Sequence, residues 1–217
     1  PKDAVLLTGR VSSSSSAALS AALRSKSAEK APGGKSTKLG VKLAGEGLLV
    51  ANDISKERVK ALIYNLEMAG VKNVIVTNES PERLVGKFSG FFDKILVDAP
   101  CSGEGMFRKE EAAITDWSRE TVEMCARRQA EILHSAAQMV RPGGRLVYST
   151  CTFADAEDEG QVFDYLENHP EMRIVKQEKL YPHKVDGEGH FAALFEKIGK
   201  TGEWDTRLKE AKLWCTR

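Results

Sequence analysis

The chain has 217 residues, of which 41% are hydrophobic and 29% are charged, and its formal net charge is +1. This length and balance are typical of a globular protein with one large domain and exclude a disordered chain. The near-neutral charge excludes a histone-like mode of nucleic-acid binding, although it permits a local basic patch. Because no apolar run is long enough for a transmembrane helix and the N-terminus does not resemble a signal peptide, we expect a cytoplasmic protein with no membrane partner.

From about residue 47 onward, short apolar runs typical of strands alternate with amphipathic segments typical of helices. The predicted strands are 48–51, 74–76, 94–97, 146–148, 173–177 and 191–195. The predicted helices follow the capping residue Ser55 and the pair Ser80-Pro81, and then occupy Arg119–Met139 and 156–168. Strands separated by helices predict a doubly wound, mostly parallel α/β sheet, which binds ligands at the carboxyl ends of its strands.

The first 30 residues do not fit this pattern. Residues 4–7 have strand character, but 12–16 are polyserine and no apolar run follows before the glycine pair Gly33-Gly34. A doubly wound sheet is expected to have its first strand directly before such a glycine loop. Either 4–7 supply that strand across a long insertion, or the sequence joins segments that are not contiguous in the native chain; we favour the second interpretation.

A glycine loop and an acid at a strand end point to a nucleotide-containing cofactor. The loop is Ala31-Pro32-Gly33-Gly34-Lys35, and Asp53 follows the 48–51 strand about twenty residues later. The loop is not a Walker phosphate motif, because Glu29 stands where the first glycine of that motif belongs. Separately, the glycines fit an ordinary turn and Asp53 fits the start of a helix. Together they indicate an adenosine-containing ligand whose ribose is bound by the acid.

Two cysteines are predicted to reach the tips of neighbouring strands. Cys101 lies in the glycine-rich stretch 98–109, and Cys151 follows the next strand in 148–153. A thiolate is a strong nucleophile once its pKa is lowered. The cysteines and histidines lack zinc-ligand spacing, so we expect no metal. Cys125 and Cys215 are interpreted as non-catalytic.

The two cysteine motifs resemble those of the Sun/RsmF family of RNA (cytosine-5)-methyltransferases. Residues 98–109 and 149–153 match in order and spacing, 31–35 resemble the family's cofactor loop, and 187–191 resemble a late-strand motif of its RsmF-like branch. The resemblance implies a class I, Rossmann-like methyltransferase with a seven-stranded sheet. It also implies a catalytic domain at 31–199, between an atypical Ser-rich segment at 1–30 and a C-terminal segment at 200–217.

The resemblance implies that the cofactor is S-adenosyl-L-methionine. It would lie across the loop, with its ribose on Asp53, with Arg58 fixing the loop and with Asp98 between cofactor and base. The family often has another acid after the third strand, where this chain has Thr77-Asn78-Glu79-Ser80. The implied cofactor-binding residues are therefore Ala31, Pro32, Gly33, Gly34, Lys35, Asp53, Arg58, Asn78, Ser80 and Asp98.

The implied reaction methylates carbon 5 of cytosine after a thiolate has added to carbon 6. The family assigns the attack to Cys151 and assistance in release to Cys101, with Asp98 on the polar edge of the base. Residue chemistry alone does not choose between the cysteines. The favoured partner is ribosomal RNA. The alternatives are transfer RNA and a non-catalytic methyltransferase-fold RNA-binding or assembly protein; the oligomeric state is left open.

Two charged groups near these motifs receive separate interpretations. Arg108 and Lys109 lie beside the Cys101 motif and favour contact with RNA phosphates. The acidic run Glu157-Asp158-Glu159 resembles the family's acidic helix start. Without the resemblance, it is interpreted as favourable placement at the positive end of a helix dipole.

Overall fold

A computed structural model describes residues 4–9, 34–43, 47–184 and 187–199, the first range by its backbone alone. The strands are β1 (Ala4–Gly9), β2 (Leu48–Asp53), β3 (Val74–Thr77), β4 (Phe92–Asp98), β5 (Val140–Thr150), β6 (Met172–Leu180) and β7 (His190–Lys197). The α-helices are α1 (Gly34–Leu43), α2 (Lys56–Met68), α3 (Pro81–Phe88), α4 (Glu111–Thr115), α5 (Arg119–Met139) and α6 (Glu159–Asn168). Short 3-10 turns occupy Glu104–Met106 and Asp155–Glu157.

The strands form one sheet in the order β3-β2-β1-β4-β5-β7-β6. Parallel pairing joins β2 to β3 and β4 to β5, whereas β7 is antiparallel to both of its neighbours. Strands β2 to β6 therefore run in one direction, and the carboxyl ends of β2, β4 and β5 lie at the same edge of the sheet. This edge is where an α/β sheet binds its ligands.

Strand β1 occupies the position between β2 and β4 and runs antiparallel to both. Its first residue, Ala4, is paired with Asp53 on one side and Asp98 on the other. Its last paired residue, Gly9, therefore lies at the opposite edge, beside Leu48. The segment that the sequence left uncertain thus fills the central slot, but its direction does not lead it into the glycine loop.

Helices cover both faces of the sheet, as the doubly wound prediction requires. One layer packs leucines of α1 and α2 against Leu49, Ala51 and Leu96. The other packs α3, α5 and α6 against the residues that alternate with these, including Val50 and Val97. Because neighbouring residues of a strand face opposite sides, a sheet buried on both faces needs such continuous apolar runs.

The long helix α5 begins and ends at the predicted residues. Ser118 caps its N-terminus by accepting a hydrogen bond from Thr121 N. The predicted strand 146–148 is the end of a longer strand, since β5 begins at Val140 and includes Arg141-Pro142-Gly143-Gly144. Val140 pairs with Phe92, and regular pairing resumes only at Arg145 with Lys94, so the four residues form an irregularity in the strand. Gly143 takes a φ of 73° there, which glycine adopts without steric cost.

No helix within the described ranges is long and apolar enough to cross a membrane.

Candidate active site

Side chains predicted to carry chemistry collect at the carboxyl edge of the sheet. Asp53 ends β2, Asp98 ends β4 and Cys151 follows β5. Because β4 and β5 are parallel and Asp98 is paired with Ser149, the segments after them leave the sheet side by side. Ala31, Pro32 and Gly33 lie outside the described residues, while Gly34 begins α1.

Asp53 is held in a fixed orientation and is only 7% exposed. Arg58 donates to its two carboxylate oxygens over 2.8 and 2.7 Å, and the Ser55 backbone N–H donates over 2.9 Å. A carboxylate has about four acceptor positions, so these three donors leave room for a ligand hydroxyl. The Asn78 side chain donates to the Asp53 carbonyl oxygen over 2.7 Å, which places Asn78 beside the acid.

Two further residues, Ser80 and Asn52, lie near the ends of β3 and β2. Ser80 precedes α3 as its N-cap but makes no side-chain capping bond. Asn52, which the sequence did not single out, joins the ends of β2 and β3: its amide donates to Glu79 O and accepts from Thr77 Oγ1 and Glu79 N. The only sequence feature that distinguishes Asn52 is its position directly before Asp53, the acid at the strand end.

Lys35, the last residue of the predicted cofactor loop, lies in the first turn of α1 and reaches the end of β4. Its ammonium forms an ion pair with Asp98 over 2.5 Å, and Ser149 Oγ lies 3.5 Å from the same carboxylate oxygen. Burial lowers the pKa of Lys35, but the charges of Asp98, Cys151 and Cys101 outweigh it and raise the pKa overall. Lys35 is therefore a cation in the field of both sulfur atoms.

The two cysteines meet directly. Their sulfur atoms are 3.1 Å apart, and the Cys151 backbone N–H donates to Cys101 Sγ over 3.3 Å. Both are free thiols, since a disulfide requires about 2.05 Å. The sulfur–sulfur hydrogen bond, together with burial, raises the pKa of the Cys101 thiol well above its ordinary value. The surroundings of Cys101 therefore favour its protonated form.

The segments that follow the cysteines are tied to each other. We call residues 99–103 the Cys101 loop and 151–154 the Cys151 loop. Ser102 and Thr152, each one residue beyond a cysteine, share a hydrogen bond of 2.8 Å between buried hydroxyls. The Gly105 N–H donates to Cys151 O over 2.9 Å, and a Cβ at Gly105 would lie 2.9 Å from that oxygen. Gly105 is thus required for the close approach of the two loops.

Glu157 accepts hydrogen bonds from the Cys101 loop. It is completely buried, and its carboxylate accepts from Ser102 N over 3.0 and 3.3 Å and from Gln129 Nε2 over 2.9 Å. The same Gln129 amide donates to Pro100 O over 2.7 Å. The side chain of Glu157 thus bonds a loop 55 residues away in the sequence, a contact that the helix-dipole interpretation does not include, and Glu159 is the acid in the first turn of α6.

Asp158 supports the strand that carries the other cysteine. This completely buried acid accepts from Thr150 Oγ1 over 2.6 Å and pairs with Lys179 over 3.0 Å. Burial raises its pKa to about 6 against the opposing effects of Thr150 and Lys179. The sequence offered one weak signal for Glu157 and Asp158, their place beside the Cys151 motif, and none for Gln129.

Phe153, in the Cys151 loop, contacts an aromatic and a charged side chain. Phe153 stacks on Tyr181 at 5.3 Å between ring centroids, and Trp117 donates to Glu104, which also accepts from Phe153 N. Cys125 lies buried in α5, and Cys215 lies outside the described residues. Within the part of the chain that the structure describes, no group of three or more His, Cys, Asp or Glu side chains is arranged to hold a metal ion.

A family model described as 16S rRNA methyltransferase RsmB/F matches residues 27–196. The ribosomal RNA small subunit methyltransferase F of Vibrio vulnificus (strain YJ016) is 36% identical over 201 residues, which is 84% of this chain and 42% of the relative. The enzyme of the same name from Escherichia coli O139:H28 is 39% identical over 171 residues, 77% of this chain and 36% of the relative. The chain thus spans less than half the length of these relatives.

Solved structures share the fold. NSun6 from Pyrococcus horikoshii, crystallised with SFG, has a TM-score of 0.69 and 31% identity over 78% of this chain and 46% of its own. A methyltransferase homolog from Pyrococcus horikoshii has a TM-score of 0.68 and 27% identity over 77% of this chain and 59% of its own. The predicted Rossmann-like α/β class and the resemblance are therefore confirmed: the chain belongs to the 16S rRNA methyltransferase RsmB/F family.

Proposed function

We propose that this chain carries the catalytic core of an S-adenosylmethionine-dependent RNA (cytosine-5)-methyltransferase that acts on ribosomal RNA. The observation that carries the proposal is the pair of free thiols 3.1 Å apart, beside the Lys35–Asp98 ion pair at the carboxyl edge of the sheet. Two thiols in contact fit a reaction that adds one sulfur to the substrate and then expels it. The relatives named as ribosomal RNA methyltransferases support the choice of RNA.

The residues at the ends of β2 and β3 fit an adenosine-containing methyl donor. Asp53 is oriented by Arg58 and has room for a ribose hydroxyl, and Asn78 and Ser80 lie at the adjacent strand end. The proposed cradle also includes Ala31, Pro32, Gly33, Gly34 and Lys35, with Asp98 between donor and base. When bound, S-adenosylmethionine supplies an electrophilic methyl group. The neighbouring structure crystallised with SFG, an analogue of this compound, supports the assignment.

Cys151 is the proposed nucleophile, and we assign the hydrogen of the sulfur–sulfur contact to Cys101, so that this hydrogen bond and the Lys35 ammonium both stabilise a Cys151 thiolate. The thiolate bonds carbon 6 of cytosine, and the electron pair of the carbon 5–carbon 6 double bond moves into the ring toward its polar edge. Asp98 and Lys35 lie where they can hydrogen-bond that edge. Carbon 5 then has the electron density to accept the methyl group.

Cys101 is the proposed base for the second half of the reaction. Once Cys151 is bonded to carbon, its charge disappears and it no longer accepts the Cys101 proton, so two of the effects that raise the Cys101 pKa are removed, while burial remains. Cys101 then releases its proton to solvent, and as a thiolate it takes the proton from carbon 5. The electrons of that bond re-form the double bond and expel Cys151 as a thiolate, which restores both cysteines.

Several finer predictions belong to this proposal. They are a catalytic domain at 31–199 between the 1–30 and 200–217 segments, a class I seven-stranded sheet, and a cytoplasmic location. The match of the family model to residues 27–196 supports the domain bounds. Transfer RNA as the substrate, and a non-catalytic RNA-binding or assembly role, are the outcomes that the test must distinguish.

The test is a denaturing gel for a covalent protein–RNA adduct with cytosine-containing ribosomal RNA and S-adenosylmethionine. Wild type, Cys101→Ala and Cys151→Ala are compared, with Cys125→Ala as the control because that thiol lies buried in α5. We expect the adduct to accumulate with Cys101→Ala and to vanish with Cys151→Ala. The reverse pattern would exchange the roles of the cysteines, and methyl transfer to transfer RNA alone would change the substrate. No adduct and no methyl transfer by any protein would indicate the non-catalytic role.

A further inference from the structure

Two adjacent buried carboxylates each bond a residue next to one of the cysteines. Glu157 bonds the backbone N–H of Ser102, immediately after Cys101. Asp158 bonds the hydroxyl of Thr150, immediately before Cys151. The two acids are consecutive residues, so the backbone between them fixes the distance between their attachment points to the two loops.

Burying these two carboxylates costs free energy of folding. Both side chains have no solvent-exposed surface, and a buried carboxylate costs several kcal/mol unless hydrogen bonds compensate for it. Glu157 is compensated by neutral donors, the Ser102 N–H and the Gln129 amide. Apolar side chains of similar volume would fill the same space without that cost, but they would not hold the two loops by directional bonds.

The Glu157 bonds extend across the whole Cys101 loop. Gln129 donates both to Glu157 and to Pro100 O, so the residues on either side of Cys101 are attached to one carboxylate–amide unit. The Tyr148 hydroxyl donates to the Glu157 carbonyl over 2.6 Å, which ties the unit to β5 as well. The position of Cys101 Sγ relative to β5 therefore depends on Glu157.

We propose that Glu157 and Asp158 are positioning residues that set the separation of Cys101 and Cys151, Glu157 through Ser102 and Gln129 and Asp158 through Thr150. This inference rests on the proposed function for its catalytic meaning. The separation itself is measurable without RNA, because two thiols in contact are oxidised to a disulfide. In that step hydrogen peroxide takes one hydrogen from each thiol, the two sulfur atoms bond, and two water molecules are released.

The experiment measures the rate of Cys101–Cys151 disulfide formation in hydrogen peroxide for wild type, Glu157→Gln, Glu157→Ala and Asp158→Asn, by peptide mapping. The matched control is Glu167→Gln, because Glu167 is an exposed acid of α6, the helix that follows the two buried acids. We expect Glu157→Ala and Asp158→Asn to slow disulfide formation about tenfold or more, Glu157→Gln to slow it less, and the control to match wild type. Circular dichroism and unfolding curves confirm that each variant is folded. If Glu157→Ala does not fold, the near-isosteric Glu157→Gln provides the test of Glu157.

Methylation kinetics give the second measurement. A positioning role predicts that Glu157→Gln lowers kcat about tenfold while KM for RNA and for S-adenosylmethionine changes less than about twofold. Folded Glu157 and Asp158 variants that form the disulfide at the wild-type rate would overturn the inference. If wild type shows no methylation but the disulfide rates follow the expected order, the proposed function fails and the positioning of the two sulfurs stands.

Discussion

The sulfur atoms of Cys101 and Cys151 lie in contact at 3.1 Å although 50 residues separate them in the chain. The cause is the parallel pairing of β4 with β5, in which Asp98 lies opposite Ser149, so that Cys151 directly follows β5 and Cys101 lies three residues beyond the end of β4. Their contact is asymmetric, because Cys101 also accepts the Cys151 backbone N–H. The two chemically identical side chains therefore have different hydrogen-bond environments.

Removing the Lys35 charge is expected to make the cysteine pair less reactive. Lys35→Met keeps the length of the side chain but leaves Asp98 without its cation, so the thiolate of Cys151 loses a favourable charge and gains an unfavourable one. We expect the pH profile of Cys151 alkylation by iodoacetamide, followed by peptide mapping, to move up by about one unit. Lys42→Met, on the same helix, is the control, and an unchanged profile for Lys35→Met would contradict the prediction.

The Asp53 carboxylate is expected to govern cofactor affinity. Asp53→Asn removes the charge that Arg58 orients and weakens hydrogen bonds to a ribose. A charge-assisted hydrogen bond contributes about 1.5–3 kcal/mol, so the Kd for S-adenosylmethionine should rise by about tenfold or more in isothermal titration calorimetry. Asp116→Asn, which changes an exposed acid at the end of α4, should leave the Kd unchanged. Equal affinities for all three proteins would place the ribose elsewhere.

A methyl group at Gly105 is expected to separate the cysteine loops. An added Cβ would lie 2.6 Å from Gly189 O and 2.9 Å from Cys151 O, both backbone atoms that cannot rotate away. Gly105→Ala should therefore lower the free energy of unfolding by about 1–3 kcal/mol and reduce methylation. The matched control is Gly187→Ala, where a Cβ meets no atom within 4 Å. Urea unfolding curves measure the first effect, and similar curves for both variants would refute it.

The stability of the protein is expected to depend on the ionisation of Asp158. Its folded-state pKa of about 6 exceeds its ordinary value of 3.8, so the folded state binds this proton more tightly than the unfolded state does. The free energy of unfolding therefore falls as pH rises from about 4 to about 6 and then levels off, the reverse of an ordinary salt-bridged acid. The groups around it are Thr150, Lys179, Glu159 and the Tyr148 hydroxyl.

Asp158→Asn removes this titration and allows it to be measured. The difference in unfolding free energy between wild type and Asp158→Asn should decrease by about 1 kcal/mol between pH 5 and pH 7.5. Urea unfolding at the two pH values gives that difference, with Glu159→Gln as the comparison for a neighbouring acid. A difference independent of pH would mean that Asp158 titrates at its ordinary value.

Local patterns in the sequence were enough to predict the α/β class, the ends of α5 and the arrival of both cysteine motifs at neighbouring strand tips. Such features depend on residues a few positions apart, such as Ser118 capping α5 or an apolar run before Asp98. The glycine and cysteine motifs also carried the resemblance to the family, which residues 27–196 confirm.

The tertiary structure alone decided the direction of β1, the position of Lys35 beside Asp98 and the bonds of Glu157 to Ser102 and Gln129. Each of these is a contact between residues far apart in the chain, and its partner depends on strand register and on how a helix packs against the sheet. Patterns confined to one helix or one strand carry no information about such contacts. The acidic run at the start of α6 predicted only favourable placement at a helix dipole, whereas the fold also buries its first two acids and bonds Glu157 to the Cys101 loop.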